Sequence, residues 1–244
     1  MKRMALASIE FLAVAGAAQA QSVDLSSLIP AGDGSATARI VQMGALLTVL
    51  SLAPGLLIMA TSFTRFIVAL SFLRSGLGIQ STPANLVLIS LSLFMTFFVM
   101  APTFDRAWEK GLKPLTENTI SNEKAYAEVT QPFREFMLGQ VREKDLALFE
   151  SLSKGAFQIK DRATIDLRLL IPAFMISELR RGFEIGFLIV LPFLVIDMIV
   201  ATVTMSMGMM MLPPSVISLP AKILFFVLID GWNLLIGSLV RSVS

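Results

Sequence analysis

The sequence predicts an all-α, membrane-associated protein: apolar helical hairpins with a charged helical insert between them. Three observations lead there. Of 244 residues, 55% are hydrophobic and only 16% charged, with a mean hydropathy of +0.75, whereas soluble domains carry roughly 25% charged residues. The charges are clustered: 8 precede Asp105, 22 lie from Asp105 to Arg168, and 8 follow. Uncharged runs of 25, 30 and 24 residues (40–64, 75–104 and 198–221) are each long enough to cross a hydrocarbon core of about 30 Å.

Residues 1–20 read as a cleaved secretory signal. Lys2 and Arg3 form the basic start, Met4 to Gly16 is largely apolar apart from Glu10, and Ala18-Gln19-Ala20 is a small-residue cleavage site. Cleavage falls between Ala20 and Gln21; the competing reading is an uncleaved amphipathic helix. A polar lead-in, 21–39, contains Pro30, Gly32, Asp33 and Gly34. Residues 40–104 then supply two apolar helices. Pro54-Gly55 should kink the first, because proline lacks an amide donor and clashes with the preceding turn. Ser81-Thr82-Pro83 reads as the start of the second, a hydroxyl cap followed by proline in the first turn. The connection holds Arg65 and Arg74 and no acid, which makes it cytoplasmic by the positive-inside rule.

The charged region, 105–168, then falls outside, which in a Gram-negative cell is the periplasm. With 11 basic and 11 acidic residues it has no net charge to draw in nucleic acid. Phe133, Phe136, Met137 and Val141 recur at helical spacing after Pro132, and a second helix runs from Asp145 to Lys154 and stops at Gly155. Apolar faces of this kind pack within their own domain or against a neighbour, the first being the commoner case. In 169–244, apolar segments alternate with a charge cluster and isolated charges. Hydropathy places spans near 44–64, 84–103, 186–206 and 218–239, the last two forming a hairpin closed by a methionine loop, 205–214.

With no His and no Cys, the chain has no imidazole or thiolate chemistry, no metal site built on either and no disulfide. It also has no G-x-S-x-G and no Gly-Lys dipeptide, so nucleophile-elbow and P-loop enzymes fail too. No cofactor and no enzyme activity are expected.

Three constellations remain. Met205, Met207, Met209, Met210 and Met211 crowd a hairpin tip; flexible thioether side chains suit either a compliant seal around a pore or adaptable packing and lipid contact. Asp197 and Lys222 are lone charges in apolar runs, where a charge faces a partner or a wet cavity. Asp197 stands 11 residues before Gly208 and Lys222 stands 8 after Pro214, a mismatch of about 4.5 Å at helical rise that a lysine stem can span. Such a pair either fixes helix register, rearranges on gating, or serves as the coupling pair of a small-solute secondary transporter or ion channel. In the third, Glu178 and Arg181 are three apart, Arg180 and Glu184 four apart, and Gly182 and Gly186 form a G-x-x-x-G that permits close helix approach. This segment reads as a polar bend at the membrane surface or, alternatively, as an ion-pair seam between subunits.

Four stretches resemble the FliP family of flagellar export proteins and their type III secretion counterparts: SFTRFIVALSFLRSGLG from Ser62, IPAFMISELRRGFEIG from Ile171, MGMMMLPP from Met207 and LPAKILFFVLIDGW from Leu219. The resemblance implies a bacterial inner-membrane subunit of the flagellar basal body with a large periplasmic portion. It implies a homo-oligomer, a pentamer, assembled with FliQ, FliR and other export-apparatus proteins around a channel for unfolded protein substrates. It also implies bent hairpins packed mostly on other subunits as well as on membrane lipid. The methionines would form the pore gasket, and Glu178, Arg180, Arg181, Glu184, Gly182, Gly186, Phe136 and Phe149 would serve the assembly interface.

Overall fold

The computed structural model describes residues 61–79, 82–155, 161–208 and 213–243, together with scattered positions in 41–60. Every regular element among them is helical. The chain divides into two compact units, 1–49 and 50–244. In the first, the described positions are helical, with the Thr48 hydroxyl donating to the Gly44 carbonyl at 2.8 Å.

In the second unit the described positions 51, 55 and 58–60 are helical, and eight α-helices follow from Phe63 onward. They are α1 (Phe63–Leu77), α2 (Asn85–Ala107), α3 (Lys113–Thr116), α4 (Asn122–Gln140), α5 (Glu143–Leu152), α6 (Leu167–Ser206), α7 (Pro214–Leu228) and α8 (Gly231–Arg241). A π-helical turn, Trp108–Leu112, joins α2 to α3 without a break, and a 3-10 turn, Arg162–Thr164, precedes α6. Local chemistry explains several ends. Gly78 takes the left-handed conformation (φ 78) that closes α1. The Ser121 side chain accepts from the Lys124 amide at the start of α4, and the Asp166 side chain accepts from the Arg168 amide at the start of α6. Pro214 occupies the first turn of α7, where its missing donor costs nothing.

Helix α6 runs through two apolar clusters. The first gathers Phe66, Leu70 and Leu73 of α1, Leu88 and Met95 of α2, Phe193 of α6, Phe226 of α7 and Leu239 of α8. The second joins Met137 and Val141 to Leu146, Ile165, Leu169, Leu170 and Phe174, with Phe133 and Phe136 against it. The apolar face read from Phe133 to Val141 therefore packs inside the chain.

Several expectations are corrected. The segment from Arg65 to Arg74 is helix α1, not a connection, because Arg65 has a buried partner and no need of water. Helix α2 starts at Asn85, with Ala84 as its uncapped boundary residue, so Ser81-Thr82-Pro83 lies ahead of it. The helix expected after Pro132 begins at Asn122 and carries Pro132 inside it. The charges at 178–184 do not interrupt the helix: α6 is one element of 40 residues, because charges break hydropathy without breaking backbone hydrogen bonds, and Arg180 and Glu184 pair along it at 2.7 Å. The span near 218–239 is broken at Asp230 into α7 and α8, bent by 66°. Among the described residues two helices, Asn85–Thr116 and Leu167–Ser206, are long and apolar enough to cross a membrane, three if the bent pair acts as one. Part of the span near 44–64, the kink at Pro54, and Ala20 and Gln21 lie outside the described residues.

Candidate functional site, two ionic locks along one helix

The largest fully buried side chain of the described residues is a cation, Arg65, on the first turn of α1. The Arg65 Nε donates to Glu178 Oε2 at 2.8 Å, and Nη2 donates to Glu178 Oε1 and, at 2.9 Å, to Gln140 Oε1. Nη1 donates to the Ser242 carbonyl and, at 3.3 Å, to the Ser242 hydroxyl. Both Arg65 and Glu178 side chains are fully buried. The planar fork of the guanidinium makes this possible, since its donors point in fixed and different directions. Gln140 extends the network: its Nε2 donates to the Val243 carbonyl at 3.0 Å, and its Oε1 also accepts from Arg181 at 3.2 Å. One guanidinium thus joins α1, the end of α4, the first third of α6 and the turn after α8.

A second polar contact sits one residue away on α6. The Ser177 hydroxyl is wholly buried and hydrogen-bonds Asp145 at 2.5 Å, while accepting the Arg142 amide at 3.1 Å. Arg142 grips the same carboxylate through two bonds of 2.9 Å. The corner between α4 and α5 is thereby riveted to α6 from both sides of the Ser177-Glu178 pair.

The second lock lies toward the hairpin tip. Lys222 of α7 and Asp197 of α6 meet at 2.6 Å, the lysine 5% and the aspartate 36% exposed in their side chains. Lys222 Nζ also donates to the Gly76 carbonyl at 3.0 Å, one of the last carbonyls of α1, and Ser218 donates to the other Asp197 oxygen at 2.6 Å. A cation at a helix C-terminus satisfies carbonyls that have no partner within the helix. The lysine therefore caps α1 while it pairs with α6.

Between the locks, α1 and α6 touch backbone to backbone. A Cβ on Gly182 would stand 3.2 Å from the Arg65 carbonyl, and one on Gly186 would stand 2.6 Å from the Phe72 ring. Glycine at these positions, four apart, is what lets the helices close. Phe72 and Phe183 meet edge-on at 5.2 Å beside this seam.

The predicted residues are therefore divided. Glu178, Gly182 and Gly186 are buried in contacts within the chain, and Glu178 pairs with Arg65, not along its helix with Arg181. Phe136 packs edge-on to Phe174 at 5.9 Å and Phe149 lies against the second cluster. Arg180 and Glu184 stay on the surface, each 57% exposed. Met205 and Met207 are 63% and 69% exposed at the end of α6, while Met209, Met210 and Met211 lie outside the described residues. Sequence reasoning missed Arg65 and Gln140. The signal was present for Arg65: a single cation between apolar helix formers, the same pattern that singles out Lys222.

These polar groups are saturated by one another, an arrangement suited to fastening helices. The fold and site together define a helical, membrane-type protein whose buried charges hold a long apolar helix to its neighbours. The chain belongs to the FliP family, whose family model matches residues 46–239. It is similar to the flagellar biosynthetic protein FliP of Rhizobium meliloti, 59% identical over 244 residues covering 99% of each chain. The FliP of Caulobacter vibrioides is 53% identical over 97% of this chain and 88% of its own, and that of Bacillus subtilis 51% over 88% and 97%.

Proposed function

We propose that this member of the FliP family is a channel-forming subunit of the flagellar type III export gate of the bacterial inner membrane. It assembles as a homo-oligomer, a pentamer as the family resemblance implies, with FliQ and FliR, and unfolded flagellar proteins pass through the assembly. The charged region from Asp105 to Arg168 stands on the periplasmic side as part of the wall. Such a conduit requires a shaped, sealable opening and no bond chemistry.

The observation that carries this reading is the hairpin of α6 and α7: pinned by Asp197 and Lys222 below its tip, it presents Met205 and Met207 to the outside at 63% and 69% exposure. A pinned hairpin with a deformable apolar tip is what a ring of copies needs to close a hole and reopen it around cargo of varied shape. A small-solute transporter built on the same charge pair is less well supported. Asp197 accepts from both Lys222 and Ser218, and Lys222 also donates to the Gly76 carbonyl, so both groups are already engaged in fastening helices and a solute would have to compete with those bonds.

The gasket is tested by replacing Met209, Met210 and Met211 together with alanine in the assembled complex. Ion leakage through the gate is expected to rise while assembly is retained. Unchanged leakage in a fully assembled gate would remove the seal from the loop.

A further inference from the structure

We propose that α8 is a hinged strap, turning about Asp230 at one end and latched at the other by Arg65 and Gln140, so that the end of α4 governs whether α8 lies closed on the first apolar cluster. The inference rests on the packing of the chain and is independent of the channel.

The hinge is made in the backbone. Asp230 takes the left-handed conformation (φ 52), which a short polar side chain tolerates better than most, and α8 leaves α7 at 66°. Gly231 follows it, where a Cβ would stand 2.3 Å from the Phe226 ring. The Asn233 side chain donates to the Asp230 carboxylate at 3.1 Å and closes the corner on itself.

Beyond the hinge α8 is held thinly. Gly231, Leu235 and Leu239 are buried, and Val243 continues the same row at every fourth residue, while Trp232 and Leu234 face outward. With 11 residues, α8 is shorter than the roughly 12–15 at which a helix begins to stand without such a face. The packing under it is incomplete. A cleft of about 180 Å³ lies between α8 and the pair α6 and α7, lined by Ile185, Ile189, Phe193, Phe226, Leu235 and Ser238. Side chains that border a gap forfeit the dispersion contacts of that side.

Closure is completed by donors from other helices. The last carbonyls of a helix have no partner within it, and a glycine commonly closes that end; residues 242–244 contain none. Instead Arg65 Nη1 donates to the Ser242 carbonyl, and Gln140 Nε2 donates to that of Val243 at 3.0 Å. Helices α1 and α4 thus cap α8. This latch can open without breaking the lock beneath it. With α8 lifted, Arg65 keeps both Glu178 oxygens and Gln140 Oε1, so no buried charge is stripped of its counter-ion. Only the carbonyl bonds and one apolar row are given up, a small cost beside that of opening the core. Gln140 is the last residue of α4, two before the Arg142 amide that donates to Ser177. A shift of that corner therefore carries the latch donor with it.

Gln140→Glu separates the latch from the lock. The carboxylate keeps an oxygen for Arg65 and Arg181 and sets a repelling oxygen where the amide donated to Val243. Because the chain has no cysteine, Leu239→Cys on α8 and Leu70→Cys on α1, both wholly buried positions of one cluster, each supply a single thiol. The full-length chains are labelled with N-ethylmaleimide in detergent. Leu239→Cys is expected to react about tenfold faster than Leu70→Cys, and Gln140→Glu to speed it about tenfold again while leaving Leu70→Cys unchanged. Equal rates at the two positions, or equal acceleration of both, would show that α8 opens only with the whole core and would overturn the strap. A Leu239→Cys rate that Gln140→Glu does not change overturns the latch. Where a cysteine variant does not fold, amide exchange in the natural chain decides: residues 231–243 are expected to exchange about tenfold faster than α1, and equal protection overturns the proposal.

Discussion

Arg65 works as a three-way junction, and its replacement separates charge from geometry. A lysine there keeps the charge but offers donors from a single nitrogen, so it cannot serve Glu178, Gln140 and Ser242 at once. Arg65→Lys is expected to lower the thermal midpoint in detergent almost as far as Arg65→Ala. Removing either partner leaves a buried charge uncompensated, a loss of about 3–5 kcal/mol. Replacing Arg65 and Glu178 together with methionine is expected to be milder than either single removal, because both desolvation penalties vanish. Midpoints for the four chains decide the matter, and a double variant worse than both singles would show that the pair stabilises outright. At this scale the sequence was partly legible. Asp197 and Lys222 stood out as charges without neighbours, and a simple antiparallel register brought them within reach. Arg65 was read as part of a loop because Arg74 and the absence of acids nearby suited a connection; its partner lies 113 residues away, and separation of that kind leaves no local trace.

Helix α7 offers a test of what its lysine does. If Lys222 only paired with Asp197, exchanging the two charges would restore function. Here the lysine also caps α1 through the Gly76 carbonyl, and Ser218 donates to the aspartate. Exchange would set a carboxylate against a carbonyl and strip the cap. The swapped chain is therefore expected to be as impaired in export and assembly as either single neutralisation, measured as motility and as recovery of the assembled complex; full rescue would reduce the lock to an ion pair. The helices themselves were largely legible, because apolar periodicity and caps are local. Their limits were not. Charges at Glu178, Arg180, Arg181 and Glu184 split α6 on paper, while the backbone carries on through them, and Pro132 reads as a start although it sits inside α4. The break at Asp230 was missed for the opposite reason: a lone charge within an apolar run was counted as part of the span, although the Asp230-Gly231 pair, with Asp230 in the left-handed region (φ 52), ends α7 there.

Over the whole molecule, the described surface carries large apolar side chains along α2, α6, α7 and α8, among them Phe94, Phe187, Met198 and Leu228. Far more apolar surface is exposed than a soluble monomer tolerates. Detergent-purified protein is expected to run as a multi-copy particle, larger again when produced with FliQ and FliR; a monomer under both conditions would remove the ring from the proposal. Mass measurement of the native particle settles it. No signal in one chain's sequence separates lipid-facing from subunit-facing apolar residues, since both are uncharged and large. Length does set one limit. At about 1.5 Å per residue the 40 residues of α6 reach about 60 Å, twice the thickness of the hydrocarbon core. To lie wholly within that layer the helix would have to lean about 60° from the membrane normal, beyond the range of about 0–40° that spanning helices adopt. Helix α6 is therefore a mast taller than any deck it could pass through: in a membrane, a good part of its apolar length would stand clear of lipid and call for a sheath of protein.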